Sequence, residues 1–271
     1  MKNEIIKNVK SLPPLEKTIL DVQRVYNDPD ASIADMVKVV ETDPMIVTNL
    51  LKAANSPLYF MGKDINRASV AVSLFGMSMT RSIVLNSSIR KLLKVDMKPY
   101  NITPEKFAEV SNIQASLIMN WYKRIDKEKA DKLYLAAFLQ ETGKILISNQ
   151  IVLEHLEDNF KSEITMAMNI AMVEKSFTGV TTAEVTAAIF EHWKFDAEFV
   201  EIIAHVDDYK HAPEAVKEYA TALNVVKTIV AVHEPLSERA IDAGLFKAKE
   251  AGYDVEILEE EINKLVDTMR A

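Results

Sequence analysis

The chain has no cysteine, which excludes disulfides, thiolate nucleophiles and Cys-based zinc sites. Glycine is scarce, with 6 in 271 residues against 12 methionines, a balance that disfavours turn-rich β architecture and favours helix. No Gly-x-Ser-x-Gly elbow, Walker loop or Gly-x-Gly-x-x-Gly occurs, so neither a strained serine nucleophile nor a glycine cradle for phosphate is encoded. Positive charge is in deficit: 32 Lys and Arg face 40 Asp and Glu, for a net charge of −8 and a pI near 5.3. That balance argues against a broad nucleic-acid surface and against docking on anionic lipid, while leaving room for a local basic groove. No apolar run approaches the roughly 20 residues of a membrane helix, and the first 17 residues lack the apolar core of a signal peptide. The reading is a soluble, cytoplasmic protein without membrane contact.

What is present is a series of amphipathic helical segments. The stretch 132–147 stands out: an apolar helix over 133–139, a polar interruption at Gln140-Glu141-Thr142-Gly143-Lys144, and a second apolar run at 145–147. Burial on both sides places Gln140 and Glu141 near the interior, where polar groups need partners. Gly143 then marks a turn or a close backbone approach. Ser32 with Asp35, and Thr181 with Glu184, read as capping boxes. Asp43-Pro44 reads as an N-cap followed by proline in the first turn. The segment Asn55-Ser56-Pro57 ends a helix, with Asn55 suited to a left-handed cap and Ser56 to a local backbone bond. Gly76 stops a short helix over 69–75, and Ser78 starts a longer one. Strand alternation, internal repeats and low-complexity tracts are absent from the sequence. The expected fold is all-α, with a dozen or more helices. Residues 94–101, which carry Pro99 and no periodic pattern, read as the boundary between two helical lobes.

Among the five histidines, only His205, Asp208 and His211 share a spacing that brings them near one helix face. A metal-activated water is the chemistry such a cluster would serve; a solvated helix end before Pro213 is the plainer reading. The basic residues Arg81, Arg90, Lys91, Lys94 and Lys98 read as an ordinary charged face.

Several of these segments, taken in order, resemble the HDOD family, the HD-related output domains of bacterial signalling proteins. They are Leu12-Pro13-Pro14-Leu15, Glu41-Thr42-Asp43-Pro44, the Asn-Ser ending at Asn55-Ser56, Ala71-Val72-Ser73-Leu74-Phe75-Gly76, and Phe138 through Lys144, with Gly143 and Lys144 closing the last. The resemblance runs from about Leu12 to His205. It implies an HD-like multi-helix fold: an HDOD domain over 1–210, with an N-terminal lobe over about 1–95 and an HD-like lobe over about 103–210. A C-terminal helical extension over 211–271 would pack on the HD-like lobe. The departures are chemical. Where catalytic HD relatives carry a metal-binding His-Asp pair, this chain has Gln140-Glu141. The upstream histidine falls at Val110, another at Thr182, and a late His-His pair reads His205-Val206. So depleted a ligand set implies neither a metal nor any other cofactor, and no catalytic residue.

The resemblance therefore implies a non-enzymatic regulatory domain in signal transduction, acting by binding other signalling proteins: a kinase, a response regulator or a diguanylate-signalling component. Gln140, Glu141, Lys144, Thr182 and His205 would either satisfy one another as buried polar groups or form a pocket for a small molecule such as a nucleotide. Asp43, Pro44, Asn55, Ser56, Gly76 and Gly143 take structural roles. A partner groove would draw on a methionine-rich face, from among Met36, Met45, Met61, Met77, Met79, Met97, Met119, Met166, Met168 and Met172. A residual hydrolase and a nucleic-acid binder are the remaining alternatives.

Overall fold

A computed structural model describes residues 1–59, 64–167 and 169–270. Among them are fifteen α-helices, two short 3-10 segments and no strand. The positions of Phe60, Met61, Gly62, Lys63 and Met168, on which parts of the expected loop and methionine face fall, lie outside the described residues.

The chain divides into two compact units. One comprises residues 13–92 with 264–271. It contains α2 (Lys17–Asn27), α3 (Ile33–Val40), α4 (Pro44–Ala54) and most of α5 (Ala68–Leu93). Ser32 and Asp35 form the reciprocal capping box of α3, and the Asp43 carboxylate accepts from Met45 N and Ile46 N ahead of Pro44. Asn55 departs from expectation. Its φ is −95°, not left-handed. Its side chain instead acts as a clamp, Nδ2 donating to the Leu51 and Ile65 carbonyls while Oδ1 accepts from Ile65 N. Ser56 Oγ donates to the Ala53 carbonyl at 2.7 Å. Gly76, at φ 68° and ψ −174°, breaks α5 into two segments, because only glycine enters that region without strain. By length and composition α5 is apolar enough to cross a membrane, which corrects the reading of the sequence as free of such a run. Serine and threonine, only mildly polar in hydropathy, make up much of its polar content; half of the apolar window is buried within the protein.

The other unit comprises residues 1–12 and 93–263. Its helices are α1 (Lys2–Lys10), α6 (Pro104–Tyr122), α7 (Lys127–Leu139), α8 (Gly143–Leu153), α9 (Glu157–Met166), α10 (Ile170–Thr178), α11 (Thr182–His192), α12 (Ala197–Ala204), α13 (Glu214–Ile229), α14 (Glu238–Glu250) and the first half of α15 (Val255–Arg270). The opening helix α1 packs on α8 and α11 through buried Ile5 and Val9, so it belongs to this unit and not to an N-terminal lobe over 1–95. Helix α13 packs against α6, α7 and α12, and α14 lies on α13. Residues 211–263 therefore supply part of this unit's core.

Two glycines set the helix spacing that the site depends on. A Cβ on Gly143 would stand 2.5 Å from the Thr182 carbonyl oxygen and 2.8 Å from Thr186 N, so α8 starts in backbone contact with α11. A Cβ on Gly244 would meet Ile229 Cγ1 at 2.1 Å, so α14 lies equally close to α13.

Candidate functional site: a buried lysine–carboxylate centre

The α7–α8 junction carries Gln140, Glu141 and Thr142, all buried. Apolar α7 and α8 pull the intervening polar residues inward; Thr142 Oγ1 donates to the Leu139 carbonyl at 2.7 Å, and Gln140 and Glu141 find partners on another helix. Gln140 Nε2 donates to Gln114 Oε1 at 2.8 Å. Gln114, on α6, donates from Nε2 to Glu141 Oε1 at 3.0 Å and to the Val230 carbonyl at 2.9 Å. Gln140 Oε1 is buried without a hydrogen-bond partner among the described residues.

Lys144 is the hub. Its Nζ donates to Glu174 Oε1 at 2.7 Å and to Thr182 Oγ1 at 3.0 Å, and lies 3.1 Å from Glu141 Oε2. Glu174, from α10, is fully buried and also accepts from Tyr100 OH, Thr182 N and Thr182 Oγ1. A second ammonium completes the array: Lys227 Nζ, from α13, sits 2.6 Å from Asp207 Oδ1 and 4.0 Å from Glu141 Oε2. Asp207 Oδ2 accepts from Ala183 N at the start of α11, where helix geometry favours an anion.

The electrostatics follow from this pairing. Burial pushes the Lys144 ammonium down, but Glu141, Glu174 and Asp207 outweigh it and hold its pKa well above the usual lysine value. Burial would likewise raise Glu141 and Asp207. The ammonium groups of Lys144 and Lys227 reverse the sign, and both carboxyls end below their ordinary range. The Tyr100 hydroxyl is pushed up by burial and by Glu174.

The structure thus brings together Gln140, Glu141, Lys144 and Thr182 of the five residues singled out from sequence. His205 stays apart: it ends α12 with Nδ1 2.9 Å from the Glu201 carbonyl, and it makes no bond to the cluster. His211 and Asp208 pair with each other at 2.6 Å on the surface. Val110 is buried on α6, and Gln114, one turn later, is the residue of that helix in the network. Sequence reasoning gave no place in this centre to Gln114, Glu174, Asp207 or Lys227. For Gln114 the available signal was a polar residue inside an otherwise apolar helix stretch, whereas Asp207 lies in a polar segment that offers none.

A cavity of about 380 Å³ lies beside this centre, within the same unit. Glu141, Lys144, Asp207 and Lys227 reach its wall, whereas Gln140, Thr182 and His205 do not. Helices α13 and α14 supply much of the remaining wall.

The HDOD domain family matches residues 12–209. The chain belongs to the HDOD family. A crystal structure of a virulence factor from Campylobacter jejuni is 27% identical, covers 100% of this chain and 97% of its own, and superposes with a TM-score of 0.59. A protein of Shewanella amazonensis SB2B that carries a phosphohydrolase name is 21% identical over 97% of this chain and 94% of its own, with a TM-score of 0.75. One from Marinobacter aquaeolei VT8 that carries a signal-transduction name is 20% identical over 99% of this chain and 63% of its own, also at 0.75. Against a curated protein of Treponema pallidum the identity is 24% over 221 residues, 79% of this chain; the match spans 41% of that relative's length.

The resemblance to catalytic HD relatives implies a metal at this position, so the fit of the residues present can be tested directly. They do not fit. Glu141, Glu174 and Asp207 offer carboxylate oxygens, but Lys144 and Lys227 already hold them at 2.6–3.1 Å. A divalent cation would have to sit against two ammonium groups. No group of three or more histidine or acidic side chains suited to a metal occurs among the described residues.

Proposed function

We propose that this HDOD domain is a non-catalytic regulatory module of signal transduction that works in the cytoplasm by binding a protein partner. One observation carries the reading: the acidic side chains at the HD-type centre are neutralised internally by Lys144 and Lys227. Ammonium groups in those positions tie α8, α10, α11 and α13 together as a strut, and they repel the cation that phosphoester hydrolysis in HD enzymes depends on. The signal-transduction name of the Marinobacter relative is in keeping with this role. The phosphohydrolase name of the Shewanella relative belongs to a protein sharing 21% of its residues with this one.

Exposed apolar side chains are available for a partner. Met45 is 59% exposed, Met166 81% and Met172 64%, while Met36, Met97 and Met119 are buried and unavailable. The test combines metal analysis with turnover. Purified protein, incubated with manganese or ferrous iron and dialysed, is expected to retain no stoichiometric metal and to leave bis-p-nitrophenyl phosphate intact. Bound metal with turnover abolished by Glu141→Gln would overturn the reading. The binding role is tested by pull-down against candidate kinases, response regulators and diguanylate-signalling proteins, with Met45→Glu and Met166→Glu expected to weaken capture without unfolding the chain.

A further inference from the structure

The cavity beside the lysine–carboxylate centre has an unbalanced cation. The other charged groups around it each have a partner of opposite or complementary kind: Lys227 with Asp207, Lys144 with both Glu141 and Glu174, Lys210 with Glu250, Arg239 and His233 with Glu234, and His211 with Asp208. Lys247, on α14, has no carboxylate within ion-pair distance among the described residues. Its Nζ donates only to neutral oxygens, Asn224 Oδ1 at 2.8 Å and Thr228 Oγ1 at 2.9 Å.

Those two acceptors are themselves fixed. Asn224 Nδ2 donates to the Val206 carbonyl, which turns Oδ1 toward Lys247. Thr228 Oγ1 gives its proton to the Asn224 carbonyl, leaving lone pairs for the ammonium. An ammonium has three N–H donors; two are used in these bonds, and the Tyr209 ring centroid lies 6.0 Å from Nζ. Burial, then the neighbouring Lys227 charge, brings the Lys247 pKa down to about 8. A desolvated cation held in place by neutral groups is a costly arrangement for stability alone.

We propose that this cavity binds a small organic anion with a single carboxylate or phosphate-monoester head seated on Lys247. The walls fit such a molecule. Tyr100, Ile170, Ala171, Val232 and Ala243 offer apolar surface for its body, and the volume of about 380 Å³ suits a small ligand. One ammonium without a carboxylate partner offsets the charge of a carboxylate head and at least half of the roughly −1.5 to −2 on a phosphate monoester. An oligophosphate would bring surplus negative charge against Glu141, Asp207 and Glu234, which reach the same cavity. The inference goes beyond the partner-binding role: a protein that captures a partner but ignores these anions fails only here.

The test is calorimetric titration of the full chain with phenyl phosphate, phenylacetate and uncharged 2-phenylacetamide, with adenosine triphosphate as an oligophosphate arm. Saturable binding of at least one of the two single-headed anions is expected, with the amide weaker by about tenfold or more, the usual worth of a charged hydrogen bond. Whichever of the two binds identifies the preferred head. Lys247→Met should abolish the difference between anion and amide, and Thr228→Val should reduce it. Lys249→Met, an exposed neighbour on the same helix, should leave it unchanged. If Lys247→Met fails to fold, Thr228→Val and the wild-type comparison decide. No saturable binding of either single-headed anion, equal binding of the amide, or tighter binding of the triphosphate would overturn the proposal.

Discussion

Lys144 bonds to side chains as far as 38 residues away in the sequence, and its loss is the sharpest single-residue test. Lys144→Met would leave Glu174 and Glu141 buried without their nearest cation. Removing one partner from a buried ion pair typically costs about 3–5 kcal/mol. A fall in urea midpoint of that order is expected, read by circular dichroism. Introducing the His-Asp pair of catalytic HD relatives with Gln140→His and Glu141→Asp should not create a metal centre, because Lys144 and Lys227 remain. Metal content after dialysis checks this. At this scale part of the site was legible in the chain. Gln140, Glu141 and Lys144 announce themselves by lying between two apolar runs. Glu174 and Lys227 do not, because a lone charged residue in an amphipathic helix resembles a surface position until the fold supplies its partner.

At the scale of helices, close packing decides what the centre can be. Gly143→Ala would drive a methyl into the Thr182 carbonyl and the Thr186 backbone. It would also disturb the bond from Gly143 N to Thr186 Oγ1, at 2.9 Å. A destabilisation of about 1–3 kcal/mol is expected from overpacking of this kind, measured by denaturant unfolding. The helix starts were readable because capping is local chemistry: Ser32 with Asp35, Thr181 with Glu184, and Asp43 with Pro44 sit where their spacing placed them. The clamp made by Asn55 was not readable, since its partner Ile65 lies ten residues away across a loop. The integration of α13 was equally hidden. Nothing in its own residues specifies which neighbours receive its apolar face.

For the whole molecule, the buried charges translate into two pH dependences. Glu141 and Asp207 titrate below their ordinary values of 4.5 and 3.8, so the folded state binds fewer protons than the unfolded chain as pH falls. Their contribution is complete above that range and is lost on acidification through the lower folded values. Stability should therefore decline below about pH 4.5, and Glu141→Gln should flatten the decline. Lys247 acts on the alkaline side. Between about 8 and its ordinary 10.5 the unfolded chain holds a proton that the folded chain has released. Stability contributed by this group should thus rise with pH across that window, and Lys247→Met should remove the rise. Urea midpoints collected from pH 3 to about 10.5 would show both.

The cavity draws its walls from two sources. Its inner face comes from the stretch that matches the HDOD family, 12–209, whereas Lys227, Thr228, Arg239 and Lys247 lie beyond it. The part held in common supplies the rigid floor, and the part outside it chooses the chemistry overhead. Exchanging α14 between relatives is thus a route to retuning which molecule is admitted while the inner strut, Lys227 of α13 included, stays in register.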